Sequence, residues 1–351
     1  MYKRQLCKRL RKKEACEFFA NAYGFNAKQR AKARLYFNQL KKLYKGVWHH
    51  IKLKDYCESF KSSEGSGLCS YEIALKLAKK ANIIIADYFH ILNPQIQHIV
   101  LQRTHKELSE SILIVDEAHN LPERLRKLLS ATLSTNMLDR AKEELKKMNT
   151  ELEELNTLKA SLRALAKRRL APEQKEREAL VKQEEFEKYM EGCDIEELSF
   201  KLRDLALDYL EAFPIGRSAL LRIANFLDKW QEQDESFVRI VRRTDNRIAL
   251  QLKALDASIV SKPIFDEAHA SVLMSGTLLP TRMYADLLGL EEERTLHREY
   301  KSPFPQENKL TLVVPNVTTK YSERSFEEYR RIAKLLVKTI KAIPGNVAVF
   351  F

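Results

Sequence analysis

Glycine is scarce in this chain. Nine glycines occur among 351 residues and none of them is followed by lysine. A phosphate-cradling loop of the form G-x-x-x-x-G-K-[ST] is therefore absent from residues 1–351. Also lacking is any run of 18 apolar residues, and the basic N-terminus is not followed by an apolar core. These absences exclude a transmembrane helix and argue against a secretory signal, so a cytoplasmic protein with no membrane partner is expected. The five cysteines include no C-x₂-C pair, which disfavours a zinc ribbon or knuckle. A large basic cytoplasmic chain is also a poor candidate for a disulfide framework.

What is present is charge of one sign, unevenly placed. The net charge is +13, and residues 1–50 alone carry about fourteen Lys or Arg against two Glu. Lys12 and Lys13, and the run from Lys28 through Arg30 to Arg34, are the densest parts. Aromatics are interleaved with them, including Phe18, Phe19, Tyr23, Phe25, Tyr36, Phe37, Tyr44 and Trp48. Phosphate neutralisation with base stacking would use that mixture. An amphipathic helical pair with a small aromatic core accounts for the aromatics as well, but not for the charge.

Four of the five cysteines, Cys7, Cys16, Cys57 and Cys69, fall within the first 69 residues. Four thiolates at irregular spacing in one small subdomain can hold a [4Fe–4S] cluster. On spacing alone, zinc or no metal remains open. Cys193 lies far away in a charged helical region and reads as a plain surface or packing residue.

Residues 112–115, Ile-Leu-Ile-Val, run directly into Asp116, Glu117, Ala118 and His119. An aliphatic run that breaks into charge predicts a buried parallel strand opening at its carboxyl end into a crevice, where open α/β sheets bind ligands. Two adjacent carboxylates there suit nucleotide hydrolysis, one holding Mg²⁺ and the other orienting water. The same four letters recur at Asp266–His269, but after Pro263 and without a preceding apolar run. This second copy is expected in a helix or turn leading into a strand at Ser271–Met274.

Further elements follow from the pattern. A helix is expected over 71–80, a buried strand over Ala81–Ala86 and a helix from Gln95 to Arg103. Strands are expected at Leu310–Val314 and Val347–Phe351, flanking a helix at Phe326–Ala342. Leu152, Leu155, Leu158 and Leu162 keep helical spacing within a Lys/Glu/Leu-rich stretch, so 121–255 reads as an inserted, almost wholly helical domain. Ser275, Gly276 and Thr277, after an apolar strand, can bring backbone and hydroxyl groups close to a neighbouring site.

These pieces, in this order, resemble the iron–sulfur superfamily 2 DNA helicases of the XPD/FANCJ/DinG group, the archaeal XPD-like members above all. Cys16–Phe19 and Gly67–Glu72 look like the cluster-ligand segments, Val115–Leu121 like motif II, and Met274–Pro280 like motif III. Tyr300–Pro305 and Gly345–Phe351 look like the entry to a second motor domain and the start of motif IV. The resemblance implies an α/β fold in which a partial RecA-like parallel sheet is interrupted by a cysteine-rich Fe–S insertion and a mainly helical arch insertion. The expected division is an Fe–S domain at 1–70, motor domain 1 at 71–120 and 256–295, the arch at 121–255, and the start of motor domain 2 at 296–351.

The resemblance also implies ATP-driven 5′→3′ translocation on single-stranded DNA, with the cluster domain as a wedge at a fork. Asp116 would then coordinate Mg²⁺ and Glu117 would activate water. His119 with Ser275, Gly276 and Thr277 would couple hydrolysis to movement, while Cys7, Cys16, Cys69 and Cys57 would ligate the cluster. Tyr88, Lys12, Lys13, Arg30 and Arg34 are candidates for the DNA path. The family places its phosphate loop ahead of the cluster domain, and further arginine-bearing motifs would follow Phe351. The chain is accordingly expected to be an incomplete fragment, its remaining motor segments carried on another chain or lost by truncation. Alone it is expected neither to hydrolyse ATP nor to unwind DNA. The alternatives are a non-catalytic cluster-bearing DNA-binding remnant and a metal-stabilised basic helical adaptor.

Overall fold

The computed structural model describes residues 7, 9–43, 49–60, 67–170, 176–190, 192–213, 217–231, 235–245 and 247–350. Tyr44, Trp48 and Phe351 lie outside these residues. The chain divides into two compact units, Met1–His297 and Arg298–Phe351. No helix of the described residues is long and apolar enough to cross a membrane.

In the first unit two short strands, β1 (Ile112–Val115) and β6 (Ala270–Leu273), pair in parallel, with Val115 opposite Leu273. The burial expected of β1 is confined to Val115, because no element among the described residues covers the other face and Ile112 and Ile114 are 61% and 68% exposed. Helices Leu121–Leu129 and Ser258–Glu267 pack against this pair through Leu121, Leu125, Val260, Ile264 and Phe265, all buried with Val115 in one core. The second Asp-Glu-Ala-His copy ends the helix Ser258–Glu267 and leads into β6. Gly289 closes the following helix, Thr281–Leu288, at φ +70°, and an added Cβ would stand 2.8 Å from the Ser258 Cβ, so only glycine fits this turn.

One expected strand does not form. Residues Ala81–Ala86 form no regular element and join no sheet, and Ile83 and Ile85 are 82% and 91% exposed. A β-branched run supplies propensity, but a strand exists only where a neighbour takes its backbone hydrogen bonds.

The inserted segment departs from the helical expectation. It contains a four-stranded antiparallel sheet in the order β2–β5–β4–β3, formed by Ala131–Ser134, Arg247–Ala254, Phe237–Thr244 and Glu176–Leu180. The reason lies in alternation: Ile248, Leu250, Leu252 and Ala254 are buried on one face of β5, with Arg247 and Lys253 outward. This two-residue period was hidden by the charged helical stretches on either side. Helices Thr135–Lys147, Glu154–Arg169, Ile195–Ala212 and Ala219–Trp230 cover the apolar face, with Leu155, Leu158, Leu162, Phe226 and Trp230 fully buried among them. Glu144 caps the last of these helices across the interface, accepting from the Ala219 amide at 2.7 Å and from the Ser218 hydroxyl at 2.7 Å.

In the second unit, helix Phe326–Ala342 starts at Ser325, whose hydroxyl accepts from the Glu328 amide at 3.1 Å. The strands expected at 310–314 and 347–351 are not formed among the described residues; Leu310, Leu312 and Val313 are extended and more than two-thirds exposed. The physical reason is again the lack of a hydrogen-bonding neighbour.

Trp230 joins most of the insert's parts. Its ring stacks on Phe226, meets Phe186 edge-on and lies under the Arg239 guanidinium. Trp230→Ala is expected to destabilise the insert by about 3–5 kcal/mol, measured by urea denaturation followed by circular dichroism. A loss below 1 kcal/mol would show that this core re-closes around the gap.

Candidate functional site

The two carboxylates stand where β1 ends. Met274 donates its amide to the Val115 carbonyl at 2.9 Å, and Ala118 returns a bond to the Met274 carbonyl at 3.0 Å. These bonds extend the strand pairing past the sheet and force the chain to turn at Asp116 and Glu117, both of which face solvent. Glu117 adopts φ +51°, the left-handed region, which is uncommon for a glutamate. The Glu117 amide donates to the Asp116 Oδ1 at 2.9 Å, so the first carboxylate fixes the second by its own turn.

A side-chain bridge joins this turn to the segment after β6. His119 Nδ1 donates to the Ser275 hydroxyl at 2.7 Å, and that hydroxyl donates to the Glu117 Oε2 at 3.0 Å. His119 Nδ1 itself stands 3.2 Å from the same carboxylate oxygen. Residues 156 positions apart are thus in direct contact. Thr277 supports the bridge, its amide donating to the Ser275 hydroxyl at 3.2 Å. Gly276 has open space where a Cβ would sit, so no close approach requires glycine there.

Tyr88 also belongs to this constellation. Its hydroxyl donates to the carbonyls of Asp116 and Glu117, the latter at 3.3 Å.

The cysteine-bearing segment is a separate small core. Helices Glu17–Ala22, Ala27–Leu43, His50–Ser59 and Ser70–Ala78 bury Phe37, Leu40, Leu53, Leu68 and Ile73. Cys57 is wholly buried with them, Cys16 and Cys69 are half-buried, and Cys7 is exposed; none of the four is in a disulfide. Cys16 and Cys69 each stand immediately before a helix, and the Cys69 amide donates to the Phe18 carbonyl at 3.0 Å. Gly67 holds the loop close, because an added Cβ would stand 2.5 Å from the Cys57 carbonyl oxygen.

Burial pushes the Cys57 thiol up to about 11, with the nearby Cys69 adding to the effect. Cys69 is raised too, chiefly by burial, against a hydrogen bond from the Glu72 backbone that lowers it; the charges of Glu72 and Cys16 add to the rise and Arg11 opposes it. Cys16, Cys57 and Cys69 are therefore neighbours by charge, and the donor set has the chemistry of an iron–sulfur site. Their side chains do not converge: among the described residues no three His, Cys, Asp or Glu groups come close enough to hold a metal ion. The residues fit such a cluster in kind and in neighbourhood, not as a closed cage.

The sequence reading missed the residue that holds this segment in place. Glu72, on helix Ser70–Ala78, is fully buried and pairs with both Arg11 and Arg103. Its signal was a lone acid beside Ile73 and Leu75 on an otherwise apolar helix face. Of the basic candidates, Lys13 is paired with Glu211 of the insert at 3.0 Å; the neighbouring Arg9, not among those candidates, reaches Asp208 at 2.7 Å. Lys12, Arg30 and Arg34 are exposed, and Arg30 donates to the Phe25 carbonyl at 3.0 Å.

Residues 2–138 match the DEAD_2 family model. The chain is 24% identical to the general transcription and DNA repair factor IIH helicase subunit XPD/RAD3 of Saccharomyces cerevisiae, over 96% of its own length and 50% of that protein. It is 25% identical to the XPD subunit of Arabidopsis thaliana, over 81% of this chain and 46% of that one. A solved XPD helicase structure aligns with 92% of the chain and 51% of its own, at 20% identity and a TM-score of 0.47. The chain thus spans about half the length of the curated relatives it matches.

The raised Cys57 value sets a pH dependence in metal-free protein. The fold favours the protonated thiol, so that part of the stability is complete below about pH 9 and is lost as pH rises through about 11. Alkylation at pH 8 should label Cys7 first and Cys57 last, and Cys57→Ala should flatten the fall in denaturation midpoint between pH 9 and 11. Early labelling of Cys57 would contradict its burial.

Proposed function

We propose, from the premise that the chain is XPD-like over nearly its whole length, that it supplies the hydrolytic and coupling half of an ATP-dependent DNA helicase moving 5′→3′ on single-stranded DNA. The observation that carries this reading is the Glu117–Ser275–His119 bridge at the carboxyl end of β1. A carboxylate pair alone could be a solvated turn. A carboxylate held through a hydroxyl by the segment following the neighbouring strand is built to register what happens at that edge.

In this reading Asp116 is the ligand for Mg²⁺, which when bound would neutralise charge on the nucleotide phosphates. Glu117 orients the attacking water, its Oε2 held by Ser275. His119 and Ser275 would transmit a change in Glu117 to the segment 275–277 and so to the rest of the motor. Cys7, Cys16, Cys57 and Cys69 would hold an iron–sulfur cluster. The exposed Lys12, Arg30 and Arg34 lie on the cysteine-bearing segment and would meet the DNA backbone near a fork. Residues 1–351 contain no Gly-Lys pair, so nucleotide binding would depend on a phosphate loop supplied from outside this segment.

Two outcomes test the reading. Protein purified without oxygen should carry about four irons per chain, lost in Cys69→Ser. Zinc alone, or no metal, would remove the cluster from the proposal. Purified 1–351 should show no DNA-stimulated ATP turnover. With the complementary motor segments present, turnover should appear and fall by at least about a hundredfold in Glu117→Gln, the scale of one well-placed catalytic group. Undiminished turnover in that variant would sink the assignment of Glu117.

A further inference from the structure

Glu117 is a left-handed residue without the usual excuse. At φ +51° an L-residue other than Asn, Asp or Gly carries strain of about 1–3 kcal/mol, which surrounding contacts must hold in place. Within the turn and its strand neighbour, the Glu117 amide donates to Asp116 Oδ1, the Ala118 amide to the Met274 carbonyl, and the Asn120 amide to the Glu117 carbonyl at 3.0 Å. A further contact comes from outside them. The Tyr88 hydroxyl reaches the carbonyls of Asp116 and Glu117 together.

Those two carbonyls belong to the two peptide planes that flank Glu117. The Asp116 carbonyl fixes the plane that sets φ of Glu117, and the Glu117 carbonyl fixes the plane that sets its ψ. The hydroxyl shares its one proton between them and is nearer the Asp116 carbonyl, while the Glu117 carbonyl also takes the Asn120 amide at 3.0 Å. The phenol therefore acts mainly on the plane that sets φ, and with it on the direction in which the Glu117 side chain leaves the backbone. Tyr88 is itself held. The Arg124 guanidinium lies over its ring, 5.2 Å from the centroid, and the helix Phe89–Leu92 that Tyr88 begins is anchored by buried Leu92. Partial burial raises the phenol above its ordinary value, with Asp116 and Glu117 adding to the rise and Arg124 opposing it, so the group stays a donor.

We propose that Tyr88 is a positioning residue for the candidate site: its phenol, steadied by Arg124, holds the strained turn from which Asp116 and Glu117 project. Arg124 sits on helix Leu121–Leu129, the α-helix between β1 and the inserted sheet and helices. A shift of that helix moves the cation on the Tyr88 ring, and through the hydroxyl it moves the Glu117 backbone. The proposal takes its meaning from the hydrolytic reading but makes a structural claim that stands apart from it.

The test uses chain 1–351 itself. Amide hydrogen exchange is compared in the parent, Tyr88→Phe and Arg124→Met proteins, with the ¹³C resonance of the Asp116 carbonyl as a second reporter. Loss of the hydroxyl should speed exchange at Glu117 and Ala118 by about fivefold, the factor that one ordinary hydrogen bond controls. It should also move the Asp116 carbonyl upfield and leave the β4 and β5 amides unchanged. Arg124→Met should do the same to a smaller extent. In a Glu117→Asn background, where the left-handed turn is less strained, removing the hydroxyl should have a reduced effect.

Unchanged exchange with an unmoved carbonyl signal overturns the proposal. So does faster exchange spread evenly into β4 and β5, which would make Tyr88 a folding residue only. Glu117→Gln keeps every backbone bond described here. A failure of the hydrolytic reading would appear in the turnover of that variant, with the Tyr88 exchange result standing.

Discussion

The buried Glu72 carboxylate is the contact on which the arrangement of the first unit depends. A carboxylate removed from water costs several kcal/mol unless it is paired and hydrogen-bonded, and Glu72 meets that requirement with two arginines from different places. Arg11 lies between Cys7 and Cys16, and Arg103 lies on the helix Pro94–Thr104 that precedes β1. The cysteine-bearing core and the parallel strand pair are therefore oriented against each other by one side chain. Arg11 also lies over the Phe19 ring, 4.2 Å from its centroid, so a single guanidinium serves both the charge pair and the aromatic packing. The ion pairs of Arg9 and Lys13 with Asp208 and Glu211 add a link to the insert. Those are part-exposed contacts, worth roughly 0–1 kcal/mol each. The strong tie runs to the helix Pro94–Thr104 and the weaker ones run to the segment that carries the antiparallel sheet.

Chemistry follows from that frame by proximity. β1 and β6 are short, and the informative contacts lie just beyond their carboxyl ends, where Asp116, Glu117, His119 and Ser275 come together. All four face solvent or are half-buried, which suits groups that must meet a ligand. The cysteine core differs: its deepest thiol is held in the protonated form by burial, and a metal would have to offset that cost to gain the thiolate.

How much of this the sequence disclosed depended on whether a signal was local. The β1 motif announced itself because an aliphatic run ending in charge is a contiguous pattern, and the helix at Phe326–Ala342 because its period and its Ser325 cap adjoin. The strands of the insert escaped notice because each is short or flanked by charged helices, and their common apolar face exists only once β5 lies between β2 and β4. The opposite error occurred at Ile83–Ile85, where local propensity was high and no partner strand took it up. Glu72 and Tyr88 were the least visible of all. Their roles lie in what they touch 28 to 61 positions away, and nothing in their neighbouring residues encodes that distance.

The parallel pairing of β1 with β6 also bears on the order in which the chain folds. Val115 must find Leu273 across an intervening sheet and a set of helices. Closing so long a loop as open chain is slow, and it brings only four paired residues in return. The intervening residues, however, have a core of their own and begin and end at adjacent points, since helix Leu121–Leu129 and β5 pack together. Once that core has condensed, the distance the two strands must search shrinks from a long coil to the gap between neighbouring attachment points. The core of the intervening segment thus shortens the search for the β1–β6 pairing, at whose carboxyl end the carboxylates stand.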